Sequence, residues 1–116
     1  MTTLYGISNC DTVRKARKWL EGESIAFDFH DFRKQGLNAE QVARWCAAAG
    51  LDRVLNKRGT TWRQLPDEVK ANTDEQTLQA LMVEQPTLIK RPVLELDDGR
   101  VEIGFKADDY AALFSR

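Results

Sequence analysis

The chain predicts an α/β fold built on a mixed four-stranded sheet, and three stretches carry that expectation. Residues 3–30 read as strand, helix, strand. A segment from about 37 to 85 reads as helical throughout. The remainder reads as a hairpin followed by a closing helix. A crossover helix joining the first two strands implies that they pair in parallel, whereas a tight turn joining the last two implies antiparallel pairing. With 116 residues, 42% hydrophobic and 30% charged, the chain is long enough to bury one core without covalent staples.

The first strand is the apolar run Leu4-Tyr5-Gly6-Ile7, and the helix after it starts beyond Cys10 and runs from Asp11 to Leu20. Gly22 is expected to close that helix, because glycine tolerates the left-handed conformation that ends helices. In Ile25-Ala26-Phe27-Asp28-Phe29-His30 the residues Ile25, Phe27 and Phe29 fall on one face, the period of a half-buried strand. In the middle, Asn38 with Gln41 three residues on forms a capping box. Val42, Trp45, Cys46 and Ala49 follow at helical spacing until Gly50 stops the helix. A short helical turn near Leu51 to Leu55 and another start at Pro66-Asp67 are expected. Thr73-Asp74-Glu75-Gln76 reads as a second capping box, opening a helix that buries Leu78, Leu81 and Met82 and ends before Pro86. Pro92 to Leu96 and Val101 to Ile103 flank Asp97-Asp98-Gly99-Arg100, whose Asp-Gly pair signals a hairpin turn. Ala107 to Phe114 places Tyr110, Leu113 and Phe114 on one helical face. This element order is that of a thioredoxin-like fold. The chain is expected to form a single domain over residues 1–116, with the core at about 1–35 and 86–116 and a helical insertion at about 36–85.

Composition excludes several function classes. A net charge of −1 and a pI near 5.8 leave no global basic field for nucleic acid, so partners are expected to be chosen by a site. The single histidine, His30, is far in sequence from both cysteines, and no zinc spacing exists, so no metal is expected. The cysteines form no Cys-x-x-Cys pair and no disulfide framework, which suits a reducing compartment. The N-terminus lacks the pattern of a signal peptide and no run approaches the length of a membrane span. No membrane association and a cytoplasmic location are expected.

Cys10 is the residue with the most chemistry to offer. A thiol at a strand-to-helix junction faces the helix's unpaired N–H groups and its positive dipole end, a setting that stabilises a sulfur anion. Arg14, about one helical turn further on, is a candidate cationic partner. The bland alternative is a small buried hydrophobe, the commoner state of an intracellular cysteine. Ser8 and Asn9 are ordinary loop formers that would be able to hydrogen-bond near the sulfur. Cys46 sits on an apolar helical stripe and is assigned to packing. Read without further context, Arg58 is a solvated cation, Arg91 a loop residue and Pro92 the first residue of an edge strand.

Three motifs in the right order resemble the arsenate-reductase (ArsC/Spx/YffB) family, and the YffB branch most. They are Cys10-Asp11-Thr12-Val13-Arg14-Lys15-Ala16 after Tyr5-Gly6, the Lys57-Arg58-Gly59 segment, and Leu88-Ile89-Lys90-Arg91-Pro92-Val93. The resemblance implies that Cys10 is the nucleophile and that Arg58 and Arg91 hold an anion or the thiolate, a role that suits planar guanidinium groups. It also implies that Pro92 follows a cis bond, which would bring the Arg91 backbone beside Cys10. The chain departs from the pattern at Gly6, where the arsenate enzymes carry a histidine, and at Phe105 or Lys106, where they carry a further arginine. Val13 occupies the place of the second cysteine in the Cys-x-x-Cys switch usual in Spx regulators.

The expectation that follows is a glutathione-dependent thiol-disulfide reductase with one nucleophilic cysteine, having glutathione as co-substrate and glutaredoxin as a candidate partner. Two alternatives stay open: reduction of arsenate or another oxyanion, and a non-enzymatic regulator that docks on RNA polymerase as the Spx proteins do.

Overall fold

The computed structural model describes residues 2–71 and 74–116, which resolve into two compact units. One comprises Met1–Gln35 with Arg91–Arg116, the other Gly36–Lys90.

The first unit holds the sheet: β1 (Thr3–Gly6), β2 (Asp28–Asp31), β3 (Val93–Glu95) and β4 (Val101–Ile103), in the spatial order β2-β1-β3-β4. β1 and β2 run parallel, Thr3 opposite Asp28 and Gly6 opposite Asp31. β1 and β3 are antiparallel with Tyr5 opposite Val93, as are β3 and β4 with Val93 opposite Ile103. The mixed α/β sheet expected from the sequence is therefore present. The parallel pair is joined by α1 (Asp11–Gly22), and the hairpin turns at Gly99, whose φ of 90° is the left-handed value that its turn position needs. Two short helices follow strands of this sheet: α2 (Phe32–Gln35) after β2, and α8 (Ala107–Leu113) after β4.

Helix α1 buries Val13, Ala16 and Leu20 on one stripe and leaves Arg14, Lys15 and Lys18 exposed on the rest. Ala16 and Leu20 join Leu4, Leu94, Leu96 and Tyr110 in one apolar cluster, with Trp19, Phe29, Phe105 and Phe114 packed around it. Each fully buried leucine here contributes about 1.5–3 kcal/mol of transfer free energy. Tyr110 anchors α8: its ring meets Phe105 edge-on at 4.7 Å and Trp19 edge-on at 5.8 Å between centroids.

Two local expectations for this unit need correction. Gly22 closes α1 as its last helical residue, but the left-handed conformation expected of it falls on Ser24, at φ 57°. The Ser24 amide donates to the Glu21 carbonyl and the Ile25 amide to the Leu20 carbonyl, the paired bonds of a Schellman motif. Ile25 can then fold back onto the cluster that contains Leu20, and that apolar contact outweighs the small advantage of glycine. The second strand also starts later than its alternation implies, at Asp28, because β1 offers a ladder only from Thr3 onward. Ile25 and Phe27 still pack against the cluster as predicted, but from the connecting segment.

The second unit is helical: α3 (Ala39–Ala49), α4 (Leu51–Val54), α5 (Thr60–Arg63), α6 (Asp67–Lys70) and α7 (Glu75–Glu84), then a 3-10 turn at Pro86–Leu88. The Asn38–Gln41 capping box forms with both of its bonds, and Gly50 follows α3 at φ 93°. α3 packs on α7, burying Val42, Trp45 and Cys46 from one and Leu78 and Met82 from the other. Leu81 is only half-buried. Thr73, expected to cap α7, lies outside the described residues. The cap is Asp74, whose carboxylate accepts from the Thr77 amide at 3.1 Å and the Thr77 hydroxyl at 2.6 Å. This unit extends to Lys90, beyond the expected boundary at 85. A bridge between Leu55 and Ile89, with bonds from the Asn56 amide to Leu88 and from the Lys90 amide to Val54, ties residues 86–90 to the segment after α4.

Candidate functional site

The register brings four chain segments to one end of the sheet. β1 leaves at Gly6 into the turn that carries Cys10, and β2 ends opposite it at Asp31. β3 enters there from Arg91-Pro92, since Val93 lies opposite Tyr5, and β4 leaves there into Gly104, since Ile103 lies opposite Val93.

Cys10 is the N-cap residue of α1, half-exposed and in an extended conformation (φ −102°, ψ 127°). Its carbonyl accepts from the Arg14 amide at 2.9 Å, the first turn of the helix, and its own amide donates to Ile7 at 3.3 Å. Cys10 makes no side-chain capping bond to the helix. Cys10 stands at the N-terminal end of a twelve-residue helix, whose first N–H groups have no partner within the helix.

Arg14 is committed locally. Its Nη2 pairs with Asp11 Oδ1 one turn back, both side chains being largely exposed, so the guanidinium expected beside the sulfur is held by a carboxylate of its own helix. The Asp11–Arg14 spacing of three residues is the signal in the sequence for that pair.

The Arg91–Pro92 bond is cis. Arg91 is half-buried, with its Nε shielded from solvent, and Pro92 is buried. The Pro92 carbonyl accepts from the Gly104 amide at 2.8 Å, and the Gly104 carbonyl accepts from the buried Tyr110 hydroxyl at 3.2 Å. Tyr110 thus supports the Arg91-Pro92 turn through one intermediary. Its own titration is pushed well above the ordinary tyrosine range, first by burial and then by the charge of Glu102, so it stays a neutral donor.

Asp31, which the sequence reading passed over, is the polar centre of this end of the sheet. It is 6% exposed and accepts from three amides: Ser8 at 3.2 Å on Oδ2, and Arg33 at 2.8 Å and Lys34 at 3.3 Å on Oδ1. Burial pulls its titration upward, but the bonds from Arg33, Ser8 and Lys34 outweigh it and hold the carboxyl below its usual value. An aspartate just before a helical tetrad is a capping signal; its link to Ser8 depends on the parallel ladder.

Gly6 and Phe105, the two departures from the arsenate pattern, are both committed to packing. A Cβ at Gly6 would lie 2.7 Å from Val13 Cγ2. Phe105 is engaged edge-on with Tyr110.

Arg58 lies in the second unit, where it lines a cleft of about 760 Å³ with Arg53, Lys57, Lys90, Asn56, Leu55 and Asp52. Asn56 builds the turn: its side-chain oxygen accepts from the Arg58 amide at 3.1 Å. Lys57 lies over the Trp62 ring at 5.5 Å. Four cations against one acid make this an anion-attracting cleft, of which the sequence reading singled out only Arg58. Cys46 is buried in the same unit, its thiol pushed up to about 11 by burial and then by the charge of Glu75, which makes it a poor nucleophile. Among the described residues no group of three or more His, Cys, Asp or Glu side chains could hold a metal ion, and no helix is long and apolar enough to cross a membrane.

A sheet of this topology, with a cysteine at the N-cap of its first helix and a cis proline just before its third strand, is thioredoxin-like in form. The sequence model of the ArsC family matches residues 5–113. The chain belongs to the ArsC family. Its structure is similar to that of the YffB protein, with a TM-score of 0.92 and 51% identity over 97% of both chains. It is also similar to an arsenate reductase (ArsC) related protein from Brucella melitensis, with a TM-score of 0.76 and 46% identity over 99% of this chain and 95% of the other. The global transcriptional regulator Spx of Streptococcus agalactiae is 30% identical over 118 aligned positions, covering all of this chain and 85% of the regulator.

Proposed function

We propose that the chain is a thiol oxidoreductase that works with a single cysteine, Cys10, and takes its electrons from glutathione. The observation that carries this reading is the contrast between the two thiols. Cys10 is half-exposed at the end of a long helix, while Cys46 is buried in the other unit and Val13, three residues after Cys10, offers no second sulfur. A lone thiolate that attacks a disulfide must be released by a thiol from solution.

The Cys10 thiolate attacks one sulfur of a disulfide R–S–S–R′, forming Cys10–S–S–R and expelling R′S⁻, which takes up a proton. A glutathione thiolate then attacks the Cys10 sulfur and expels RS⁻, leaving Cys10 joined to glutathione. A second glutathione attacks the glutathionyl sulfur, releasing the Cys10 thiolate and oxidised glutathione. Two electrons pass from two glutathiones to the disulfide, and the protein returns unchanged. Arg91 and Arg58 are assigned to binding anionic groups, since a guanidinium keeps its charge when partly desolvated and fits a carboxylate in a bidentate pair. Arg14 is assigned a lesser, electrostatic role because Asp11 already occupies it.

The ranking of this chemistry above arsenate reduction rests on Gly6 and Phe105. Each missing charge-assisted hydrogen bond to a tetrahedral anion is worth about 1.5–3 kcal/mol, and both positions are spent on packing. Likeness to Spx over the whole chain favours a second reading, a regulator docking on RNA polymerase without catalysis.

Incubation with oxidised glutathione followed by intact and peptide mass spectrometry separates them. The expected result is one glutathione on Cys10, absent in Cys10→Ser, and slowed several-fold in Arg91→Ala and Arg58→Ala. No adduct on Cys10 would sink the oxidoreductase reading. Glutathione- and glutaredoxin-dependent arsenate turnover that is lost in Cys10→Ser would restore the oxyanion reading, and co-purification with RNA polymerase independent of Cys10 would favour the regulator.

A further inference from the structure

The buried carboxylate of Asp31 makes more bonds than its local structure requires. To cap α2 it needs only Oδ1, which accepts from Arg33 and Lys34 in the first turn, while the Asp31 amide is met by the Gln35 side chain at 3.0 Å. Oδ2 instead reaches across the parallel ladder to the Ser8 amide, 23 residues earlier in the chain. Ser8 is in the turn between β1 and α1, two residues before Cys10. That turn has few other restraints: Ser8 and Asn9 are exposed, and the Cys10 amide reaches Ile7 only at 3.3 Å. Sequestering a carboxylate from water is costly unless its oxygens are satisfied, so a side chain that is 6% exposed and bonded at both oxygens fixes the groups around it strongly. A negative group is the wrong sign to stabilise a sulfur anion, which leaves geometry as the reason for a carboxylate at this end of the sheet.

We propose that Asp31 is the positioning residue for Cys10: through Oδ2 and the Ser8 amide it holds the turn that sets the sulfur at the end of α1. This rests on the reading of Cys10 as the nucleophile, but it concerns where the sulfur is held rather than what it attacks. Asp31→Asn is the informative change. Its single side-chain oxygen can keep the α2 cap, which then turns an NH₂ group toward the Ser8 N–H, donor against donor. Two controls isolate that bond. Gln35→Ala removes the acceptor of the Asp31 amide and leaves the carboxylate in place, and Ser8→Ala removes the Ser8 hydroxyl, which also bonds the Asp31 carboxylate, while leaving the amide bond.

The experiment measures the second-order rate of Cys10 alkylation by iodoacetamide across pH, together with amide hydrogen exchange at Ser8, on the full chain. Wild type should protect the Ser8 amide relative to that of Asn9. Asp31→Asn, folded by circular dichroism, should lose that protection and alkylate about three- to tenfold more slowly across the profile, as expected for a sulfur released from its held position by loss of one charge-assisted bond. Gln35→Ala should stay within about twofold of wild type, since it leaves the whole Asp31–Ser8 link in place, and Ser8→Ala, which loses the hydroxyl bond to Asp31 but keeps the amide bond, should fall between wild type and Asp31→Asn. An Asp31→Asn profile that superimposes on wild type would overturn the proposal, as would a Ser8 amide in wild type that exchanges as fast as Asn9. The exchange comparison needs no variant and decides the matter if Asp31→Asn does not fold. Failure of the oxidoreductase reading would show separately, as a wild-type Cys10 that alkylates normally but takes up no glutathione.

Discussion

Replacing Gly6 by alanine is a sharp test of how the end of the sheet is built. Gly6 is the last residue of β1, has no left-handed φ, and has its Cα directly against the first turn of α1. A methyl group there would meet Val13 Cγ2 at 2.7 Å and Cγ1 at 3.2 Å, whereas two carbons in favourable contact need about 3.5–4.0 Å. Val13 is fully buried, and a β-branched side chain in a helix has essentially one good rotamer, so it cannot swing away cheaply. Overpacking of this kind costs about 1–3 kcal/mol, offset by about 0.4–1 kcal/mol from the reduced freedom of the unfolded chain when glycine becomes alanine. The expected net destabilisation is about 1–2 kcal/mol, read as a lower urea midpoint by circular dichroism. Val13→Ala alone removes two buried methyl groups and should cost about 2–3 kcal/mol. In the double variant the new methyl occupies the space vacated, so the combined loss should be smaller than the sum by about 1 kcal/mol or more. Additive losses, or a neutral Gly6→Ala, would refute the argument that Gly6 is committed to packing against Val13.

Cys46→Ala should cost about 1–2 kcal/mol through a small cavity and leave Cys10 reactivity unchanged; loss of glutathionylation in that variant would contradict the packing role. Because burial raises the Cys46 thiol to about 11 against an ordinary 9.0, the native state resists its ionisation. That stabilisation is present below pH 9 and is lost as pH rises towards 11, so wild type should lose stability over that window relative to Cys46→Ala in paired urea titrations. Tyr110→Phe removes the donor to the Gly104 carbonyl and should cost about 1–1.5 kcal/mol; a calorimetric Tm equal to that of wild type would remove this bond from the support of the Arg91-Pro92 turn. The chain is proposed to unfold as one domain, so urea curves followed at Trp19 in the first unit and at Trp45 and Trp62 in the second, using single-tryptophan variants, should coincide; two separated midpoints would show that the units unfold independently.

Periodicity made the larger elements legible. The helical run from Asp11 to Leu20, the Asn38–Gln41 box and the Asp-Gly turn each encode an element within a dozen residues, and all three stand in the structure. The four-residue helix α2 escaped notice because a single turn is too short to show a period. The same locality limits the site. Cys10 was recognisable from its junction with α1, but the Asp31–Ser8 bond joins segments that only the parallel ladder aligns, and the Tyr110–Gly104–Pro92 chain depends on how α8 follows β4. The cationic cleft likewise needs the bridge from Leu55 to Ile89 to bring Lys90 beside Arg53, Lys57 and Arg58. Ser24 in place of Gly22 shows tertiary burial of Ile25 overriding a local preference.

If Cys10 is the nucleophile proposed above, Val13, seated one turn into α1 against Gly6, also decides whether a disulfide could be kept within the helix. A helix with a second sulfur at that place could close a ring on itself and keep two oxidising equivalents in its own covalent structure until something came to remove them. With valine there, a disulfide at Cys10 within α1 cannot form, so in the proposed cycle the disulfide-level form is a conjugate with another molecule, and its lifetime is set by the concentration of thiol outside. On the proposed single-cysteine reading the chain passes electrons on without storing them, and cysteine, which also carries less bulk towards Gly6, is the residue at position 13 that would change that.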